Sequence, residues 1–502
     1  MITGPPGLSR SRLLCLLLAC MAWTLAPSAP SEADDAALAV SPAVGHPLQR
    51  IVVKGSGFGS NETVDLSFDG LAAGAVVAGP DGSFVSGTRV PGVAQPGPSI
   101  VAALGLDSGT RARASFFVRT NWAMFRGGPA RTGFNPYENV ISPSNVSGLH
   151  KAWTAPLGTS FASPALVDGV LYEGAYYNDH FYALDHATGA VLWTFPTGPI
   201  ESSAAVVNGV VYVASDSGDV FALDASTGAE LWSHPIGLYG SSSPVVAGGI
   251  VYLAGGDDDM LHALDARTGG EVWSFLGGSY VSSPAVADRI VYAGSLDGNL
   301  YALDATTGSE LWRVATGGPV YTAPTVADGR VYVGPATSYV LALDAATGDQ
   351  LWRFHTGASR DGGGSSAAVA DGVLYVGSGD DHVYALDANT GVMRWRVTIG
   401  GYRRFPSPPT VANGVVYFGV WSAGGLYAVD AATGALLLRF GHVKTTLCSP
   451  VVADGTVYIA SDSGTLWALD LSGPAGTPAS TKSGTAPARG GSHDLVGTAY
   501  ET

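Results

Sequence analysis

The sequence predicts an all-β chain, an eight-bladed β-propeller preceded by a small β-sandwich. Three observations predict it. An Ala-Leu/Val-Asp run ends at Asp185, Asp224, Asp265, Asp304, Asp344, Asp387, Asp430 and Asp470, at intervals of 39 to 43 residues. A Thr-Gly turn is followed four residues later by Trp193, Trp232, Trp273, Trp312, Trp352 and Trp395. Charged residues make up only 13% of the chain against 69 glycines, which suits turn-rich β structure and not long surface helices.

One repeat unit shows how each element arises. From Ser282 to Val314 the chain reads as four short β-type runs, AVAD, IVYAGS, NLYALD and ELWRV, separated by DR, LDG and ATTG turns. Four antiparallel strands make a blade, and a blade cannot bury both faces alone, so blades must stack around an axis. Units of about 40 residues fit that blade size. Leu438 takes the Trp place in the last unit, and Trp153, which precedes the first unit, fills the vacancy as an extra outer strand. A ring closed in this way removes open sheet edges.

The recurring residues read as structural. Asp followed by A-x-T-G can accept backbone N–H groups across a turn in which Gly takes positive φ. The Trp column packs between blades and can donate its indole N–H to a carbonyl. The repeated Ser-Pro opens the innermost strand, where Pro needs no ladder donor. A feature present in every blade fits packing better than one active centre.

The formal charge of −16 argues against a nucleic-acid partner, because phosphate backbones repel it. At the N-terminus Arg10 and Arg12 precede an apolar run, Leu13 to Leu25, and a small-x-small site at Ser31-Glu32-Ala33. That pattern predicts a signal peptide over residues 1–33 and hence export. The alternative is a lipid anchor at Cys20, since Leu17-Leu18-Ala19-Cys20 loosely matches a lipidation box. No later stretch has the length of a transmembrane span. With Cys15 and Cys20 in the leader, Cys448 stands alone, so packing rather than disulfides must hold the mature chain together.

Residues 121–471 resemble the pyrroloquinoline-quinone-like propeller superfamily. The YALD-x-x-TG-x-x-LW repeats and the lead-in NWAMFRGGPARTGFNP, Asn121 to Pro136, carry the resemblance. Residues 37–118 resemble an IPT/TIG-type immunoglobulin-like domain through VVKGSGFGSNETVDLSFDG, GPDGSF, VPGVAQPG and ASFFV. The propeller resemblance implies one of two roles. Quinoprotein dehydrogenases oxidise alcohols or sugars with the quinone (PQQ) and calcium, whereas other members are non-catalytic scaffolds of outer-membrane protein assembly. The sandwich resemblance implies a spacer or adhesion module. Residues 472–502, rich in Gly, Ser, Thr, Pro and Ala, read as a disordered tail.

Specificity is expected where the repeats break. One rim loop carries Arg360 and Asp361, and the next carries Tyr402, Arg403 and Arg404. Asp380, Asp381 and His382 are expected on the same face, as are Asp257, Asp258 and Asp259. Together they suggest a funnel with Arg forks for a carboxylate or other anion, and the Asp triplet suggests oxygen ligands for calcium. Each group also reads as ordinary solvated turn residues. His186, His234 and His355 read as surface residues. The chain lacks the adjacent cysteine pair that covers the quinone in many alcohol-oxidising members, and its loops are short. The leading expectation is therefore an exported, non-enzymatic scaffold that binds a protein or cell-surface partner. The alternative is a PQQ- and calcium-dependent dehydrogenase acting on an alcohol or sugar, and a third reading is a calcium- or polysaccharide-binding wall protein.

Overall fold

The computed structural model describes residues 36–238, 242–278, 282–334, 336–357, 364–399, 406–421, 424–443 and 448–473. Among the described residues the fold is all-β, with a single 3-10 turn at Val146–Gly148. Two sheets form the N-terminal unit. One pairs Arg50–Ser56 with Ala37–Ser41 and Phe84–Arg89, and the other centres on Thr63–Phe68, Gly97–Gly105 and Arg111–Val118. Strict alternation of buried and exposed residues along Arg50–Ser56 puts Ile51 and Val53 inside, against Val64, Leu66, Phe68, Val101 and Phe116.

Among the described residues eight antiparallel arrays follow, seven of them meanders of four consecutive strands, and the inner strands of arrays consecutive in the chain touch one another. In the second, Ala205–Val207, Val210–Ala214, Asp219–Asp224 and Glu230–Pro235 run from axis to rim. Burial follows that order. The second strand is almost wholly buried, which is why it reads VVYVA, while the outer strand alternates between exposed and half-buried. The arrangement is a β-propeller.

At every seam but the one after the seventh blade, one carbonyl ties neighbouring blades together. Trp193 Nε1 and the Tyr172 hydroxyl both donate to the Ala225 carbonyl of the next blade, at 3.0 and 3.1 Å. The same pair recurs as Trp312 and Tyr292 on Ala345, and as Trp352 and Tyr332 on Ala388. The turn that presents this carbonyl is built by its Asp. Asp224 Oδ1 accepts the N–H groups of Ser226 and Thr227 at 3.0 and 2.9 Å. The hydroxyls of Ser226 and Thr227, with those N–H groups, hold the carboxyl below its usual range. Gly228 then has two reasons to be glycine. Its φ is +73°, and a Cβ would lie 2.5 Å from the Trp193 ring of the preceding blade.

Leu438 and Trp153 need a correction. Leu438 lies on the outer strand of the seventh blade, Leu436–Phe440, not in the last unit. The last blade has no outer strand of its own because no T-G turn follows Asp470. His150–Pro156, carrying Trp153, pairs with Thr465–Asp470 and supplies it. Without that turn, no Ala carbonyl meets the seventh blade, and the fully buried Tyr417 hydroxyl is left without a partner.

Truncating the two donors of one seam should separate packing from hydrogen bonding. Trp352→Ala should lower unfolding free energy by about 3–5 kcal/mol through the cavity it leaves. Tyr332→Phe should cost about 1 kcal/mol through the lost hydrogen bond. Urea unfolding followed by tryptophan fluorescence measures both.

Candidate functional face

In each four-stranded meander the loops between second and third strands, and between one blade and the next, fall on one face. The opposite end of the axis is closed by the lead-in. Trp122 exchanges backbone hydrogen bonds with Leu166 of blade one. The inner-strand amides of Val206, Val286, Val326, Val369 and Val411 then donate to the carbonyls of Ala123, Pro129, Ala130, Thr132 and Gly133, at 2.7 to 2.8 Å. Phe134–Asn135 leaves by adding a parallel strand to the inner edge of blade seven. The lead-in therefore answers backbone donors of six blades that would otherwise face an empty channel.

Two arginines anchor this plug, and both are fully buried. Arg131 donates to the carbonyls of Pro284, Phe125, Ser243 and Pro244, at 2.7 to 3.2 Å. Arg126 donates to the carbonyls of Arg131 and Ala367. Burial pushes both guanidinium pKa values down to about 9, and the charge of Arg126 adds to the effect on Arg131. Carbonyl dipoles thus do the work that a carboxylate does elsewhere.

Above the plug, serine hydroxyls link the blades. The N–H groups of Ser449, Ser163, Ser203 and Ser243 donate to Oγ of Ser163, Ser203, Ser243 and Ser283, each in the following blade, at 2.8 to 2.9 Å. The relay breaks at Ala323, which has no hydroxyl, and at Pro408, which has no N–H. Ser449 Oγ is consequently a buried hydroxyl without a partner.

The closing seam also breaks the repeat in its core. Glu173 stands where the other blades place Val213, Leu253, Ala293, Val333, Val376, Phe418 and Ile459. It is 1% exposed, accepts a hydrogen bond from Ser160 on Oε1, and has no partner on Oε2. Burial pushes its pKa up to about 8, against a smaller lowering by Ser160, so it holds a proton at neutral pH. On the loop face of blade two, burial raises Glu201, and burial together with Glu201 raises Asp216 to about 6.

The residues singled out in the sequence divide into two groups. Arg360, Asp361, Tyr402, Arg403 and Arg404 lie outside the described residues. Asp380 accepts the Tyr384 hydroxyl at 2.5 Å and lies 3.5 Å from His382 Nδ1, and the Asp381 carbonyl accepts the Ile399 N–H. Asp257 accepts the Leu238 N–H at 2.8 Å, while Asp258 accepts the Met260 N–H at 3.0 Å and lies 2.7 Å from His262. Asp257 and Asp258 thus turn to different partners, and Asp259 sits at a left-handed turn position with φ +58°. His186 and His234 are half-buried in blade seams, unlike the exposed His355. Sequence reading overlooked Arg126, Arg131 and Glu173. Aligning the repeat units would have exposed Glu173, the one acid in an apolar column.

The fold defines a propeller of the quinoprotein-repeat class. The chain belongs to the outer membrane protein assembly factor BamB family, whose model matches residues 177–283 and 257–472, more than half of its length. Among solved structures it is similar to BamB from Moraxella catarrhalis, with 20% identity and a TM-score of 0.53 over 64% of this chain and 99% of that one. It is also similar to quinohemoprotein alcohol dehydrogenase ADHIIG from Pseudomonas putida HK5, with 18% identity and a TM-score of 0.61 over 73% and 82%. A europium-containing methanol dehydrogenase gives 16% identity and 0.61 over 70% and 98%. At these identities the likeness is one of fold. No curated protein matches the chain in sequence.

A quinone needs flat partners on both faces and a cation on its dione. The two axial cations are turned onto peptide carbonyls, and the serines around them already accept N–H groups. Arg126, Arg131 and these serines are therefore engaged with the protein's own backbone and are not free to hold that group.

Glu173 makes stability fall as pH rises. Its pKa is higher folded than unfolded, so the native state keeps a proton that the unfolded chain releases. The contribution is complete below the ordinary carboxylate range and is lost as pH rises through about 8. Glu173→Gln should flatten the decline between pH 6 and 8 relative to the parent, measured by urea unfolding at successive pH values.

Proposed function

We propose that the chain is an exported, eight-bladed propeller with an IPT/TIG-like module in front, and that it acts as a non-enzymatic scaffold. A protein partner docks on the face bearing the blade-to-blade loops. One observation carries this reading. Tyr177, Leu238, Tyr321 and Trp421 all lie in loops of that face and are 75%, 48%, 57% and 38% exposed. Large apolar side chains held in water, three of them here aromatic, are what a protein interface uses as anchors. The opposite face presents turns of Asp, Asn, Thr and Gly, which bind their own backbone. The family description, an outer membrane protein assembly factor, agrees with a protein-binding role outside the cytoplasm.

The N-terminal module makes direct contacts with the ring and its lead-in. His46 stacks on Tyr137 at 4.0 Å, and Asn139 donates to the Ala94 carbonyl at 2.8 Å. Arg119 pairs with Asp454 at 3.1 Å while lying over the Phe117 ring. In this reading the module fixes the orientation of the docking face relative to its surroundings.

Two experiments on the full chain test the proposal together. Cross-linking into a cell-envelope fraction should give a complex that a Tyr177→Ser, Tyr321→Ser, Trp421→Ser variant weakens about 30-fold or more, at roughly 2 kcal/mol for one anchor. Leu311→Ser on the outer rim should leave it intact. Mixed with pyrroloquinoline quinone, calcium, a redox dye and panels of alcohols and sugars, the chain should give no turnover above the blank. Dye turnover, or a complex indifferent to the triple variant, would contradict the scaffold role.

A further inference from the structure

Several blade seams near the rim close on a pair of aromatic rings. The residue two places after the outer-strand Trp meets a third-strand residue of the next blade. Phe195 meets Phe221 at 5.4 Å, Phe275 meets Tyr301 at 5.7 Å, and Phe354 meets Tyr384 at 5.5 Å. Between blades two and three both partners change together. There His234 meets His262, with ring centroids 6.4 Å apart. A repeat that replaces both members of a packing pair with imidazole at one seam has changed its chemistry at that point.

The surroundings of this pair are not those of a packing contact. His262 is only 6% exposed. Its Nε2 lies 2.7 Å from Asp258 Oδ2, and its Nδ1 lies 3.3 Å from Glu271 Oε2. When Nε2–H donates to Asp258, a neutral ring turns the lone pair of Nδ1 towards the Glu271 carboxylate, acceptor against acceptor. Only a cation between the two, a proton or a metal ion, reconciles them. His234 supplies a third donor. Ligand atoms of His234, His262 and Glu271 all lie within 4.8 Å of one another.

We propose that His234, His262 and Glu271 form a zinc site that clamps blades two and three at the rim, with Asp258 as the residue that orients His262. Two imidazoles and a carboxylate are a three-ligand set that zinc completes with water in a fourth position. Calcium takes oxygen ligands in larger number and does not suit the two imidazoles. A carboxylate on the far nitrogen of a liganding histidine fixes its tautomer and raises its basicity, which is the role the 2.7 Å contact gives Asp258. Glu271 is half-exposed, so the fourth position opens to solvent.

The repeat itself supplies the variants that keep the fold. His234→Phe restores the residue found at the same place as Phe195, Phe275, Phe354 and Phe440, and His262→Tyr restores that of Tyr182, Tyr301, Tyr384 and Tyr427. Chelator-treated full chain titrated with zinc chloride by calorimetry should take up about one ion that competes with a moderate chelator, and its melting temperature should rise with zinc. His234→Phe and His262→Tyr should each abolish that uptake and the zinc-dependent rise, while melting normally without zinc. Asp258→Asn should weaken binding about 10–100-fold. No saturable uptake by the full chain overturns the proposal. So does uptake that survives both histidine variants, which would place the ion on other residues. Unchanged affinity in Asp258→Asn overturns the orienting role.

Discussion

The lead-in segment along the axis is the constraint on which the rest of the propeller depends. Stacked blades satisfy each other's faces but leave the innermost amides directed at a channel. Five of those amides donate to consecutive stretches of residues 123–133, and Arg131 binds carbonyls from two further positions of the wall. An unanswered buried amide costs about 1–3 kcal/mol, so the segment is a structural member, not a tether between two domains. It also explains two buried cations in an acidic chain. Arginine, with five donors in a rigid fork, can bind several carbonyls at once, which lysine cannot.

Away from the axis, stability is distributed seam by seam. Each Trp and Tyr pair reads one carbonyl of the next blade, and each T-G glycine leaves room for the Trp ring. A repeat array built this way is a sum of near-identical interfaces. Departures from identity then stand out. The closing seam holds Glu173, Ser160 and Cys448, with Cys448 Sγ 3.5 Å from the Ser160 carbonyl. The neighbouring seam carries the orphaned Tyr417 hydroxyl, and Ser449 Oγ is left alone by Pro408. Defects gather where the first and last units meet because each of those units lacks a neighbour in sequence.

Much of this was legible in the sequence because period and turn chemistry are local. The Asp column, the T-G glycines and the Trp column all act within one unit or against the adjoining one, so spacing alone displays them. The lead-in arginines were not legible in that way. FRGGPART carries a family resemblance but no periodicity, and nothing local says that its cations meet carbonyls 112 and 153 residues away. Glu173 and His262 were hidden for a different reason. Attention to loop insertions picks out residues such as Asp257 and Asp380, whereas the informative changes are single substitutions inside strands. Of the loop residues singled out, Asp257 binds the neighbouring blade-to-blade loop at Leu238, Asp258 binds its own turn, and Asp258 matters through its histidine neighbour.

These features assign different work to different radii of one ring. The axis is filled by backbone and arginine, the rim between blades two and three concentrates ligating side chains, and the loop face keeps its aromatic side chains in water. The central claim is that the lead-in seals the axis. Hydrogen exchange of the intact chain, resolved to the inner strands, tests it most directly. The amides of Val206, Val286, Val326, Val369 and Val411 should exchange only through global unfolding, as slowly as the second-strand core. Exchange of these amides at the rate of the exposed turns would contradict the account.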